Sequence, residues 1–144
     1  MMVSDMTVPG VLVPQARELK VVMAARRVLI VEDDRDIQNV IGNTLDESGF
    51  DLAFTDSGEA AVTLLNGLKD HYSAIVIDIA LRGRMSGWEV GTHARQVSPD
   101  FPVIYITGLY ADQWLWRGVP NSIMLTKPFA VEQLVVAISG LLTR

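Results

Sequence analysis

The 144-residue chain reads as a doubly wound α/β domain, five strands alternating with five helices. Two observations predict this. Short unbroken apolar runs, such as Val28-Leu-Ile-Val31 and Ile75-Val-Ile77, have the length and β-branching of strands buried on both faces, as in a parallel sheet. Between them lie segments with apolar residues at helical spacing. Right-handed crossovers then place helices on both sides of the sheet.

The elements follow in order. Arg27–Val31 is the first strand, and Glu32-Asp33-Asp34 follows it directly. Ile37, Val40, Ile41 and Leu45 mark the first helix, which Gly49 stops. Phe50, Leu52 and Phe54 alternate, giving an edge strand. Asp56-Ser57-Gly58-Glu59 has capping-box form, with Asp56 as the cap, and opens a helix through Ala61, Leu64, Leu65 and Leu68. Ala74–Asp78 is the third strand. Ser86 or Gly87 starts a helix that ends before Pro99. Val103–Thr107 is the fourth strand, Tyr110 to Arg117 a short helix, and Ile123–Thr126 the fifth strand. After Lys127-Pro128-Phe129, a last helix shows Val131, Leu134, Val135, Ile138 and Leu142 on one face. Residues 1–26 do not share this pattern and read as an N-terminal extension, with a possible short helix over Gln15 to Arg27. Residues 27–144 form the domain.

Composition bounds the function. Hydrophobic residues make up 49% and mean hydropathy is +0.28, enough for a real core. No apolar run is long enough to span a bilayer, and no signal peptide is evident, so no membrane partner is expected. The absence of cysteine excludes disulfides and fits a reducing, cytoplasmic setting. A net charge of −5 argues against a nucleic-acid partner.

The polar residues that end the strands carry the chemistry. In an open parallel sheet the crevice lies beyond the carboxyl ends of the strands. Glu32 and Asp33 end the first strand, Asp78 the third, Thr107 the fourth and Lys127 the fifth. Three carboxylates gathered there repel one another unless a cation sits among them. Oxygen ligands without His or Cys suit Mg²⁺. A lysine and a threonine hydroxyl on the far side complete a phosphoryl-transfer constellation in which one carboxylate is the nucleophile. Taken singly, Asp33 or Asp34 could merely cap the next helix, Thr107 could be a turn residue, and Lys127, Arg82 and Arg84 could be solvated charges. His71 and His93 are assigned no chemical role.

With these residues in register, the chain resembles the receiver domain of bacterial two-component response regulators. The matching stretches are Val28-Leu-Ile-Val-Glu-Asp-Asp34, Ile75-Val-Ile-Asp-Ile79 with Met85-Ser-Gly87, Val103-Ile-Tyr-Ile-Thr-Gly108 and Lys127-Pro-Phe129. The resemblance implies a flavodoxin-like (βα)5 fold with strand order 2-1-3-4-5. It implies that Asp78 accepts a phosphoryl group from a sensor histidine kinase or phosphotransfer protein. It further implies Mg²⁺ on Asp33, Asp78 and the Ala80 carbonyl, Glu32 acting through water, Thr107 and Lys127 on the phosphoryl oxygens, and a cis Lys127–Pro128 bond. The protein is then a phosphoacceptor, not an enzyme with a turned-over substrate. Two departures stand out. Arg82 replaces a usual proline in a loop one residue longer than the family's, and Met124 stands where the family has a switch aromatic.

A single-domain receiver that signals through a downstream protein or a homodimer is the leading reading. One alternative is a pseudo-receiver, an interaction module without a phosphorylation switch. Another is an α/β phosphatase, although Ala80 stands where haloacid-dehalogenase-type enzymes carry a second aspartate. Trp114-Leu115-Trp116 on the short helix sweep about 200° of its surface, so at least one large side chain should be exposed. The more exposed of Trp114 and Trp116 is the expected interface anchor. A competing expectation packs Trp116 under the Gly118-Val119-Pro120 turn.

Overall fold

The computed structural model describes residues 26–67 and 72–143. The extension expected over residues 1–26, apart from Arg26, and the positions of Leu68 and His71 lie outside the described residues. The elements are β1 (Arg27–Val31), α1 (Arg35–Glu47), β2 (Asp51–Thr55), α2 (Gly58–Leu65), β3 (Ala74–Asp78), α3 (Gly87–Val97), β4 (Val103–Thr107), α4 (Trp114–Arg117), β5 (Ile123–Thr126) and α5 (Val131–Leu142). A 3₁₀ turn over Ala111–Gln113 leads into α4. The five strands form one parallel sheet in the order β2-β1-β3-β4-β5. This is the flavodoxin-like arrangement expected.

Successive strand residues point to opposite faces, so each apolar run feeds two cores. Leu29, Val31, Ile75, Ile77, Val103 and Tyr105 meet Ala61, Leu65, Trp88, Val90 and Ala94 of α2 and α3. Val28, Ile30, Val76, Ile104 and Ile106 meet Ile41, Leu45, Leu134 and Ile138 of α1 and α5 on the other face. Having both faces covered explains why β1, β3 and β4 show no polar alternation. The edge strands β2 and β5 are only partly buried, and Phe54 is exposed.

Helix ends follow local chemistry. Asp34 caps α1, its carboxylate accepting from the Asp36 and Ile37 amides, and Gly49 leaves the helix at φ 91°. Ser86 caps α3 by accepting from the Glu89 amide. Three expectations need correction. The cap of α2 is Ser57, which accepts from the Ala60 amide, and not Asp56. Glu59 does not close a capping box; its carboxylate accepts the Met85 N–H in the loop after β3. Val40 of α1, expected on its apolar face, is exposed, whereas Leu142 of α5 packs half-buried against the cluster that holds Leu134 and Ile138, as expected.

The α4 region sorts the two tryptophans. Trp114 is half-buried, and its Nε1–H donates to Ser122 Oγ at 2.9 Å. Trp116 is 71% exposed and Leu115 88%. The expectation that Trp116 sits under the Gly118 turn is therefore wrong. Trp114 does so: a Cβ on Gly118 would collide with Trp114 Cδ1. With a 3₁₀ turn leading into a four-residue helix, only the first indole faces the sheet.

Candidate functional site

The carboxyl ends of β1, β3, β4 and β5 deliver the polar residues to one edge. Glu32 continues the β1–β2 pairing by one bond, its N–H donating to the Thr55 carbonyl at 3.0 Å. That extra rung turns its side chain inward, where it is 2% exposed. Glu32 Oε2 accepts the Asp34 N–H at 3.3 Å, and the Gln38 side-chain amide donates to the Glu32 carbonyl. Glu32 Oε1 has no hydrogen-bond partner; Lys127 Nζ lies 3.6 Å away, beyond hydrogen-bond reach.

Asp78 ends β3 and is buried. Its Oδ1 accepts the Ala80 N–H at 3.1 Å and its Oδ2 the Lys127 ammonium at 3.3 Å. The loop beyond turns back so closely that a Cβ on Gly87 would lie 2.6 Å from the Asp78 carbonyl oxygen, which only glycine allows. Asp33 sits at the rim, and Arg82 Nε approaches its Oδ2 to 3.4 Å. One carboxylate oxygen each from Glu32, Asp33 and Asp78 lies within 4.8 Å of the others.

Thr107 stands on β4 one residue past Ile106, the register partner of Asp78, and is buried. Its Oγ1 accepts the N–H groups of Leu109 and Tyr110 at 3.3 and 3.0 Å, which leaves its hydroxyl hydrogen free of those bonds. The Lys127 N–H donates to the Thr107 carbonyl at 2.8 Å, joining the two strand ends, and the Lys127–Pro128 bond is cis. Met124 is half-buried beside Tyr105, its partner on β4.

The electrostatics follow from this crowding. Burial pushes the Glu32 carboxyl up to about 8; the neighbouring Asp78 carboxylate acts the same way, against a smaller pull from Lys127 and the Asp34 amide. Burial pulls the Lys127 ammonium down, but the charges of Asp78 and Glu32 and the hydrogen bond to Asp78 outweigh it and hold it above its usual value. A buried carboxylate oxygen without a partner, beside two further carboxylates, fits a hard divalent cation with oxygen ligands. Glu32, Asp33 and Asp78 could hold one.

Sequence reasoning thus placed Glu32, Asp33, Asp78, Thr107 and Lys127 at one edge, and they are there. Ala80, the expected carbonyl ligand, is exposed on the loop at the same edge. The Arg82–Asp33 pair was not foreseen, since Arg82 read as a solvated charge. Its signal was the substitution itself: a cation placed four residues after the central carboxylate, in a lengthened loop.

Fold and site together define a doubly wound α/β domain with an acidic pocket faced by a lysine and a threonine. The chain belongs to the response regulator receiver domain family of two-component systems, which matches residues 28–139. It is 29% identical over 122 residues to the response regulator receiver protein CpdR of Brucella abortus, covering 81% of this chain and 97% of that protein. It is 31% identical over 124 residues to the uncharacterized transcriptional regulatory protein YrkP of Bacillus subtilis, covering 83% of this chain but 51% of the relative. The chain therefore spans about half the length of YrkP and of the MprA response regulators it also matches. A crystal structure of a response regulator receiver protein from Sinorhizobium medicae superposes with a TM-score of 0.79 at 34% identity, over 82% of this chain and 94% of that one. Among the described residues no helix is long and apolar enough to cross a membrane.

Proposed function

We propose that the domain, residues 27–144, is a phosphorylation-dependent switch in which Asp78 accepts a phosphoryl group from the phosphohistidine of a sensor histidine kinase or phosphotransfer protein. The observation that carries this reading is the Asp78 carboxylate, buried at the end of β3 between the Ala80 amide and the Lys127 ammonium, with Glu32 and Asp33 beside it. A carboxylate oxygen attacks the phosphorus, the P–N bond to the donor histidine breaks, and an acyl phosphate forms on Asp78. Lys127 follows the transferred group, exchanging Asp78 Oδ2 for a phosphoryl oxygen. The Thr107 hydroxyl donates to another phosphoryl oxygen with the hydrogen that its present bonds leave over. Asp33, Asp78 and the Ala80 carbonyl, with Glu32 acting through water, would hold Mg²⁺, whose charge would offset that of the phosphoryl oxygens. The response passes to a downstream protein or a second copy of the chain. Exposed Trp116 anchors that contact, while Trp114 belongs to the core. Met124 repacks rather than swings, because a thioether chain is flexible and has no ring to rotate.

A pseudo-receiver is the second reading, favoured by the Arg82–Asp33 pair that engages one of the cation ligands. Incubation with Mg²⁺ and acetyl phosphate, followed by intact mass and a turnover assay, separates the readings. One phosphate on the wild type and none on Asp78→Asn is the expected result. No adduct on the wild type makes the domain a pseudo-receiver, and repeated hydrolysis of phosphate esters makes it a phosphatase.

A further inference from the structure

The loop after Asp78 is tethered on both sides of Arg82. Arg82 itself forms a parallel bridge with Ser57 at the start of α2. Three residues on, the Met85 N–H donates to the Glu59 carboxylate at 3.2 Å, and Gly83 makes the turn between them at φ 96°. The backbone of Arg82 is thereby fixed, and its side chain reaches the rim of the pocket with Nε 3.4 Å from Asp33 Oδ2. The two partners differ sharply in burial: the Arg82 side chain is 86% exposed and that of Asp33 17%. The guanidinium meets the rim from the solvent side.

Charge decides what this contact does. A divalent cation among Glu32, Asp33 and Asp78 would stand beside the Lys127 ammonium. If Arg82 stayed on Asp33, two cations would draw on one carboxylate. Lys127 faces Glu32 and Asp78 on the inner side, so Asp33 is the carboxylate on which the guanidinium and an entering cation would meet.

We propose that Arg82 is an internal competitor for the cation site: its guanidinium holds Asp33 in the metal-free pocket and must leave when Mg²⁺ enters, which lowers the affinity for the metal. This inference rests on the reading of Glu32, Asp33 and Asp78 as a Mg²⁺ site. An ion pair with one fully solvated partner is weak and screened by salt, so the effect on affinity is roughly two- to fivefold at low ionic strength.

The test is Mg²⁺ titration of the full chain by NMR, for the wild type, Arg82→Gln and Arg84→Gln. The Ala80 and Asp34 amides report on the pocket, since they donate to Asp78 and Glu32. The Arg82 Nε–H signal reports on the guanidinium. Arg84 is a neighbouring exposed arginine that forms no ion pair with Asp33, so its removal changes the same net charge without the contact. We expect Arg82→Gln to bind Mg²⁺ tighter than the wild type by that factor and Arg84→Gln to gain clearly less. The gain should shrink as NaCl is added, and the wild-type Nε–H signal should shift with the same midpoint as the amides. Unchanged or weaker binding by Arg82→Gln, or an equal gain in both variants, overturns the competition while leaving the Mg²⁺ site standing. A wild type that takes up no Mg²⁺ at millimolar concentration overturns the site and the competition together.

Discussion

The inner wall and the outer rim of the pocket are built on opposite principles. Glu32, Asp78 and Thr107 are buried, and they are joined to Lys127 and the backbone by bonds that cross between strands. Asp33 and Arg82 meet at the solvent edge through one long contact between a half-buried carboxylate and a solvated guanidinium. Strand ends position the wall, and a loop positions the rim. The wall is therefore preorganised for chemistry, whereas the rim can change partner at little cost.

Removing Lys127 should break this contrast most severely. Lys127→Ala leaves two buried carboxylates without the one inner cation that faces them among the described residues. Phosphoryl uptake on Asp78 should slow by on the order of tenfold or more, a barrier increase of about 1.4 kcal/mol or more, while Arg82→Gln changes it only a few-fold. Rates of labelling by acetyl phosphate with Mg²⁺ in excess compare the two. Similar losses in both would mean that wall and rim contribute alike.

A second effect follows from Glu32. Its folded pKa of about 8 lies above the ordinary 4.5, so between these values the native state holds a proton that the unfolded chain has released. Stability of the metal-free protein therefore falls as pH rises from about 4.5 to about 8. Lys127, raised above its usual value, loses its contribution only at higher pH, outside this window. Urea unfolding in EDTA at several pH values should show the decline in the wild type and a flatter profile in Glu32→Gln. A rise in stability across that range would contradict the burial argument.

The neighbours Asp33 and Asp34 sharpen the comparison with the smallest change. Asp34 is spent on the cap of α1, so Asp34→Ala should cost about 1 kcal/mol of stability and leave Mg²⁺ affinity close to wild type. Asp33→Ala should do the reverse. Calorimetric metal titration beside thermal unfolding separates the two; equal loss of metal affinity in both variants would show that the register is wrong.

How much of this was legible in the sequence follows the same division. The wall could be read because each of its residues ends an apolar run, and parallel strands carry their ends to one edge. At the rim Asp33 could be read but its pairing with Arg82 could not, because Arg82 reaches Asp33 through the Ser57 bridge, the Gly83 turn and the Glu59–Met85 bond. The bridge and the Glu59–Met85 bond depend on tertiary contact between segments distant in sequence. The cap of α2 was misplaced by one residue because Asp56 and Ser57 are both good caps and only the backbone path chooses between them. Which indole is exposed stayed open because a four-residue helix entered through a 3₁₀ turn has no periodicity from which to read its phase.

The central claim is that the buried carboxylate at the end of β3 is the atom group that takes the phosphoryl. Reductive trapping tests it most directly. The wild type is phosphorylated with acetyl phosphate and Mg²⁺, treated with borohydride to reduce any aspartyl phosphate to homoserine, and mapped by tandem mass spectrometry. The account predicts homoserine at position 78 alone. Homoserine at position 33 or 34, or a phosphate that stays on another side chain while Asp78 is recovered intact, would contradict it.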